Sequence, residues 1–477
     1  MKKTIIYLLL LLISFPIYSQ NCDCSSNLKW LIETFEKNDA GFHYVIEQKG
    51  RNAYELHNKI IMQKLSKIST LKECHQLLIE WTEFFRKGHL GVNLLATDTK
   101  KSFGTETFNI NQTHFQKRIE NLKNKTGYEG IWVSSPYTIG IVKDDKNVNR
   151  DYIGFIINSG NPNWKVNQVK LEIIKNKDGK YSMKYYMGDH SLRTIKDVKI
   201  EGEIYMIADF ISLKKIKPEI KFSEPDKELF YKSVYADKPF IEKIRDNVVL
   251  LRIPSFMYEN KKEIDSLLSK NDSLIKKTTN LIIDLRNNGG GSDASYGKII
   301  PYLYTNPYRV IGVERLSTEL NNVNLIKYFT RPDLPKNEIE WAKESIEKIN
   351  NNIGKFVNLD SEIDINTRDE IFPFPKNVAI LINENCGSTT EQFLLAAKQS
   401  KKVKLFGITT AGALDISNLN SIKSLCNEFE LVYGTSKSIR IPEMIIDDKG
   451  IQPDYYFDKS IKPYEWIDKT IEILNYE

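Results

Sequence analysis

Two short segments of this 477-residue chain carry the residue types that chemistry at a carbonyl or phosphoryl group requires. In Cys386-Gly387-Ser388-Thr389-Thr390-Glu391 a serine opens a helix directly after the apolar run Asn377 to Asn383. A hydroxyl at a helix amino terminus is well placed as a nucleophile, because the first-turn N–H groups and the helix dipole stabilise negative charge there. The same residues suit a plain structural use, since Ser388 and Glu391 have the spacing of a capping box. Taken alone, this loop reads first as a cap. Cys386, at the end of a buried strand, reads as a small core residue.

The second segment is Asn287-Asn288-Gly289-Gly290-Gly291, which ends the apolar strand Asn280 to Arg286. Glycine admits conformations and close approaches that a side chain would block, so the N–H groups of such a loop can meet a phosphate or a developing oxyanion. The loop lacks the Lys-Ser/Thr ending of a P-loop and the spacing of a dinucleotide fingerprint, so neither nucleotide reading has support. Other serine chemistries fit poorly. There is no Gly-x-Ser-x-Gly elbow, and Lys125-Thr126-Gly127 and the Ser212 to Lys215 tetrad stand in the wrong order for penicillin-recognising enzymes. With six histidines, five cysteines, no His-Glu-x-x-His and no paired Cys-x-x-Cys, neither a metal nor another cofactor is expected.

The elements that must position these loops follow from periodicity. Residues 21–100 are expected to form a helical region, since Leu28, Leu31, Ile32 and Phe35, then Leu77, Leu78, Trp81 and Phe85, recur at three-to-four spacing. Residues 101–235 read as a β-rich middle domain, because short alternating runs from Tyr128 to Ile211 are separated by Asn, Asp and Gly turns. That domain could bind peptide, or it could be structural. From 236 to 477 the pattern becomes α/β: buried strands Val248 to Pro254, Asn280 to Arg286, Asn377 to Asn383 and Val403 to Ile408 alternate with amphipathic helices. Such alternation calls for a mixed, mostly parallel sheet with crossover helices, whose carboxyl-end loops are the usual place for a site. Residues 315–375 read as an insertion that could cover that edge.

Taken together, DLRNNGGG, then GSTTEQF at a helix start, then GITTAGA (Gly407 to Ala413) and GIQPD (Gly450 to Asp454), resemble the catalytic half of the tail-specific, or C-terminal processing, serine protease family. The resemblance runs from about Asn247 to the carboxyl terminus. It implies a ClpP/crotonase-like catalytic fold, Ser388 as nucleophile, and an oxyanion hole made of a glycine N–H from the Gly289 and Gly290 pair plus the N–H of Thr389. One departure is informative: where serine/lysine members carry their lysine base, this chain has Ala413. The resemblance then points to the branch similar to the tricorn protease core and the interphotoreceptor retinoid-binding modules, whose active members use a histidine from an amino-terminal helical region. Phe84-Phe85-Arg86-Lys87-Gly88-His89-Leu90 resembles that branch's Asp-Gly-His signature, with Lys87 in place of the acid. His89 is the implied general base. Asp447, just before GIQPD, is the candidate acid that orients it, although an acidic surface turn explains the same residues. Asp284 and Arg286 are expected to hold the strand end by a charge-assisted pair.

Residues 1–20 have a basic start, an apolar run from Thr4 to Ile13 and a small-residue exit at Ser19, the layout of a cleaved export signal. An uncleaved anchor is the other reading. Removing Lys2 and Lys3 with that segment takes the formal charge from +6 to +4. That field is too weak to imply nucleic acid or an anionic membrane as partner. In an oxidising compartment, Cys22 or Cys24 is expected to pair with Cys74. The expected protein is a periplasmic or secreted serine endopeptidase acting on peptide or protein substrates. The competing expectation is an inactive relative that keeps the cleft and binds a peptide or an apolar ligand.

Overall fold

The computed structural model describes residues 22–95, 106–188, 190, 192–208, 211–220 and 225–476. The segment read as an export signal, 1–20, lies outside them. The chain clusters into two units, each assembled from three separated stretches. The first takes Met1–Thr97, Ile311–Asp364 and Ala413–Asp448, and the second takes Asp98–Val310, Ile365–Gly412 and Lys449–Glu477.

In the first unit lie the helices Cys24–Asn38, Phe42–Lys49, Arg51–Leu65 and Leu71–Thr82, of which the first and fourth start at side-chain caps. Asp23 accepts from Ser26 N–H, and Thr70 with Glu73 forms a complete capping box. Their apolar faces meet in one cluster that includes Leu28, Leu31, Phe35, Leu77, Trp81 and Phe85. Phe429, Leu431 and Tyr433 complete it from the long strand Phe429–Ser438. That strand pairs antiparallel with Gly91–Leu94, Val313–Leu316 and Ile416–Lys423. The strand Val313–Leu316, which leads into the stretch read as an insertion at 315–375, is a rung of this sheet and also pairs with Phe356–Val357. Two disulfides pin the unit. Cys24–Cys74 joins the first and fourth helices, as one of the two expected pairings, and Cys22–Cys426 ties the amino-terminal end to the turn of the Ile416–Ser438 hairpin.

The second unit contains a closed antiparallel barrel and a six-stranded sheet. The barrel runs through eight strands from Gly130–Ser134 to Ile211–Lys217, and these two ends pair with each other, leaving no free edge. In the sheet, Val248–Arg252, Asn280–Asp284, Asn377–Ile382 and Val403–Gly407 are parallel neighbours, with Phe240–Arg245 antiparallel at one edge and Tyr455–Tyr456 at the other. Leu281, Ile282, Ile283, Val378, Ile380 and Leu381 are all fully buried, because strands covered on both faces must be apolar on both.

The disulfides act chiefly by restricting the unfolded chain, each worth about 2–4 kcal/mol. Replacing Cys24 and Cys74 together by Ser is expected to lower the unfolding free energy by that amount, read as an earlier urea midpoint. The Cys22→Ser/Cys426→Ser pair is expected to do the same.

Candidate active site

The register of the parallel strands brings two loops to one level. Asp284 lies opposite Leu381, and Leu285 N–H donates to Leu381 O at 3.0 Å, so the strands end together. Beyond them, Gly387 N–H donates to Asn288 O (3.3 Å), Thr390 Oγ1 to the same carbonyl (2.9 Å) and Thr389 Oγ1 to Gly291 O (3.0 Å). Gly290, at φ +104°, is needed for this contact. A Cβ there would stand 2.7 Å from both Gly387 O and Ser388 Cβ and 2.9 Å from Thr389 N.

Ser388 occupies the N-cap position of the helix Thr389–Ala397 with φ +56° and ψ −125°, a region that side-chain-bearing residues rarely adopt. Its hydroxyl makes no capping bond. Nor does Glu391 complete a capping box. It is buried and accepts from Thr410 Oγ1 at 2.5 Å and Gly412 N–H at 2.8 Å, fastening the GITTAGA segment to the helix. The cap that the loop suggested in isolation is not formed, and a strained serine at a helix start is the kind of local cost that marks functional positions, about 1–3 kcal/mol.

Of the two glycines expected to stabilise an oxyanion, Gly290 already donates its N–H to Asn288 Oδ1 at 3.0 Å, whereas a Cβ on Gly289 would meet open space. Thr389 N–H is the first of the helix, where backbone donors have no intrahelical acceptor. Cys386 is buried, donates to Leu285 O at 3.0 Å and has its thiol pKa pushed up to about 12 by burial. It is a packing residue, not a nucleophile.

Below the loops, Arg286 grips Asp284 through Nε (2.9 Å) and Nη2 (2.6 Å). Burial works against the Asp284 charge, yet Arg286 and Arg252 hold its pKa below the usual carboxylate range. The pair is structural, as its spacing in the strand suggested.

The first unit holds His89 and Asp447. His89 sits at φ +55°, with Nδ1 2.6 Å from the carbonyl of Ile416. A carbonyl only accepts, so Nδ1 carries the proton and Nε2 the lone pair, the tautomer a general base needs. The loop is held by Arg86, buried and bidentate to buried Asp39 (2.9 and 2.5 Å), with Nη2 also donating to His89 O at 3.1 Å. Burial lowers the His89 pKa; the Ile416 carbonyl opposes this and Arg86 adds to it.

Asp447, expected to orient His89, bonds instead to backbone: it accepts from Leu414 N–H (2.6 Å), Asp415 N–H (2.7 Å) and Ile416 N–H (3.2 Å). It fixes the residue whose carbonyl holds the imidazole. Asp415 reciprocates by accepting from Ile446 and Asp447 N–H at 2.6 and 2.8 Å. Asp39 and Ile416 were not singled out by sequence. Asp39 carries no local motif, and Ile416 acts through its backbone.

Within the second unit, then, Ser388, Gly290 and Thr389 come together; within the first, His89 and Asp447 belong to one hydrogen-bonded neighbourhood. Among the described residues no cluster of three or more His, Cys, Asp or Glu side chains could hold a metal ion, and no helix is long and apolar enough to cross a membrane.

A strained serine on a strand-to-helix turn, faced by a glycine loop, defines the class as serine hydrolase. Residues 247–457, a little under half of the chain, match the model of peptidase family S41, a family of serine peptidases. No curated protein matches the sequence. Among solved structures, mature CPAF complexed with lactacystin is similar at 14% identity and a TM-score of 0.51, covering 94% of this chain and 97% of that one. Mature CPAF alone is similar at 14% identity and 0.50, covering 94% and 96%. These likenesses show the fold. The tricorn protease aligns at 13% identity and 0.42, covering 94% of this chain and 36% of that one.

Burial, then the neighbouring Asp415, raises the Asp447 pKa from 3.8 to about 6. A carboxyl whose folded pKa lies above its unfolded value gives stability that is complete at low pH and lost as pH rises through that window. Asn cannot accept at both positions, which sets a constant cost, but the stability difference between Asp447→Asn and wild type is expected to move by up to about 3 kcal/mol in the variant's favour between about pH 4 and pH 7, read from urea unfolding across pH.

Proposed function

We propose that this chain is an exported serine endopeptidase that hydrolyses peptide bonds through an acyl-enzyme on Ser388, with His89 as general base. The observation that carries the reading is Ser388 itself, held at φ +56° on a helix start without a capping bond. In the first step Ser388 Oγ attacks the peptide carbonyl carbon while its proton passes to His89 Nε2. The tetrahedral oxyanion is received by the N–H groups of Thr389 and, with Gly290 engaged by Asn288, of Gly289. His89 then protonates the departing amine, and water, deprotonated by the same nitrogen, releases the acid product. Asp447 serves at one remove, by holding the Ile416 peptide.

The buried His89 stays neutral at a pH where an ordinary histidine is partly protonated, which suits a base working near neutrality. Ala413 supports the histidine reading over a lysine base. Two disulfides and the signal-like residues 1–20 support export to a periplasmic or secreted location.

A fluorophosphonate probe tests this directly. The folded mature protein is expected to be labelled, and the Ser388→Ala and His89→Ala variants are not. The labelling rate should rise with pH through a midpoint below 6.5 and then level off, since only neutral His89 accepts the proton. A folded wild type that stays unlabelled across pH would instead favour a non-catalytic relative that binds a peptide or apolar ligand.

A further inference from the structure

Three asparagines stand at the outer ends of the two loops, and their amides close on one another. Asn287 N–H donates to Asn383 Oδ1 at 2.8 Å, Asn383 Nδ2 donates to Asn287 Oδ1 at 2.7 Å, and Asn385 Nδ2 donates to the same Asn287 oxygen at 3.0 Å. The orientation of each amide is fixed by the chain of bonds. A backbone N–H can only donate, so the Asn383 atom facing it is oxygen. Its other end is then the NH2 group, and the Asn287 atom that receives it is oxygen in turn. Asn287 reaches this position at φ +63°, a conformation that asparagine, aspartate and glycine tolerate best.

These bonds are solvent-exposed, so each contributes little to stability, on the order of 1 kcal/mol. Their place is more telling than their strength. Asn287 is two residues before Gly289, and Asn383 and Asn385 precede Ser388 on the partner loop. We propose that Asn287, Asn383 and Asn385 are positioning residues: their amide clamp sets the Gly289 N–H against the nucleophile loop, so that oxyanion donor and Ser388 hold a single spacing. The proposal rests on the serine-peptidase reading above. A misplacement of about 1 Å at such a site can cost on the order of a hundredfold in rate.

The substitutions at 287 separate backbone from acceptor. Glycine tolerates the positive φ but has no side-chain oxygen, whereas aspartate tolerates it and keeps an acceptor for both amides. With the fluorophosphonate probe at saturating concentration, Asn287→Gly is expected to lower the maximal labelling rate by about tenfold to a hundredfold, with the half-saturating concentration and the melting temperature nearly unchanged. Asn287→Asp should restore the rate to within about twofold of wild type, which a merely structural role for residue 287 does not require. Asn383→Asp gives an independent check, because it still accepts from Asn287 N–H but sets oxygen against oxygen at the Asn287 side chain. It is expected to behave like Asn287→Gly. Wild-type labelling with equal rates in Asn287→Gly and Asn383→Asp would overturn the clamp and leave the peptidase reading intact. No labelling of the wild type would remove the peptidase reading and the clamp's role with it.

Discussion

The parallel register of three central strands is the constraint on which the Ser388 loop depends. Val248, Asn280 and Asn377 lie at one level, and Arg252, Asp284 and Leu381 lie together at the other end. Parallel strands send every carboxyl end in the same direction, so the glycine loop and the serine loop must emerge side by side. A shift of one residue in either strand would reverse which side chains face the core. Because the strands are apolar on both faces, such a shift is opposed less by patterning than by what sits at their ends. There the buried Arg252, which donates from Nη1 to Asp284 O across the strands, and the buried Asn288, which donates from Nδ2 to Ile253 O, fix the level.

A buried ion pair of one form performs the equivalent task in each unit. Asp284 with Arg286, and Asp39 with Arg86, are carboxylates met by both arms of a guanidinium. Removing one partner of such a pair leaves an unpaired charge in the interior, at about 3–5 kcal/mol, whereas an apolar replacement of both would often be tolerated. Their value is therefore directional more than energetic. Asp39 also accepts from Gly41 and Gly434 N–H, so one carboxylate joins the first helix's end, the His89 loop and the long strand of the sheet.

The sequence made the local chemistry legible where type, conformation and function coincide within a few residues. Ser388 after a buried strand, glycines after another, and helical spacing around Leu28 and Leu77 each report on their own neighbourhood. What could not be read depends on partners far along the chain. Alternation between Tyr128 and Ile211 announces antiparallel strands, but closure into a barrel rests on Gly130–Ser134 meeting Ile211–Lys217. The same limit hid the Cys22–Cys426 bridge, separated by 404 residues, and the pairing of Val313–Leu316 with the Phe429–Ser438 strand. The capping-box spacing of Ser388 and Glu391 misled because a tertiary partner, Thr410, takes the glutamate.

His89 shows why a motif can name a base and leave its orientation open. A carboxylate on Nδ1 would fix the tautomer and also stabilise the imidazolium that forms in the reaction. The Ile416 carbonyl does the first and, being neutral, much less of the second. Arg86, whose guanidinium lies at the same loop, opposes the imidazolium further. In the proposed mechanism this makes His89 a base favoured in its neutral form but modest in its pull on a proton, which places more of the burden on stabilising the oxyanion. Asp447 sits where its charge is offset by three peptide N–H groups, so its contribution is to keep the Ile416 carbonyl in place. An orienting group that works through the backbone needs no particular side chain at 416, and for that reason it leaves no trace in the sequence.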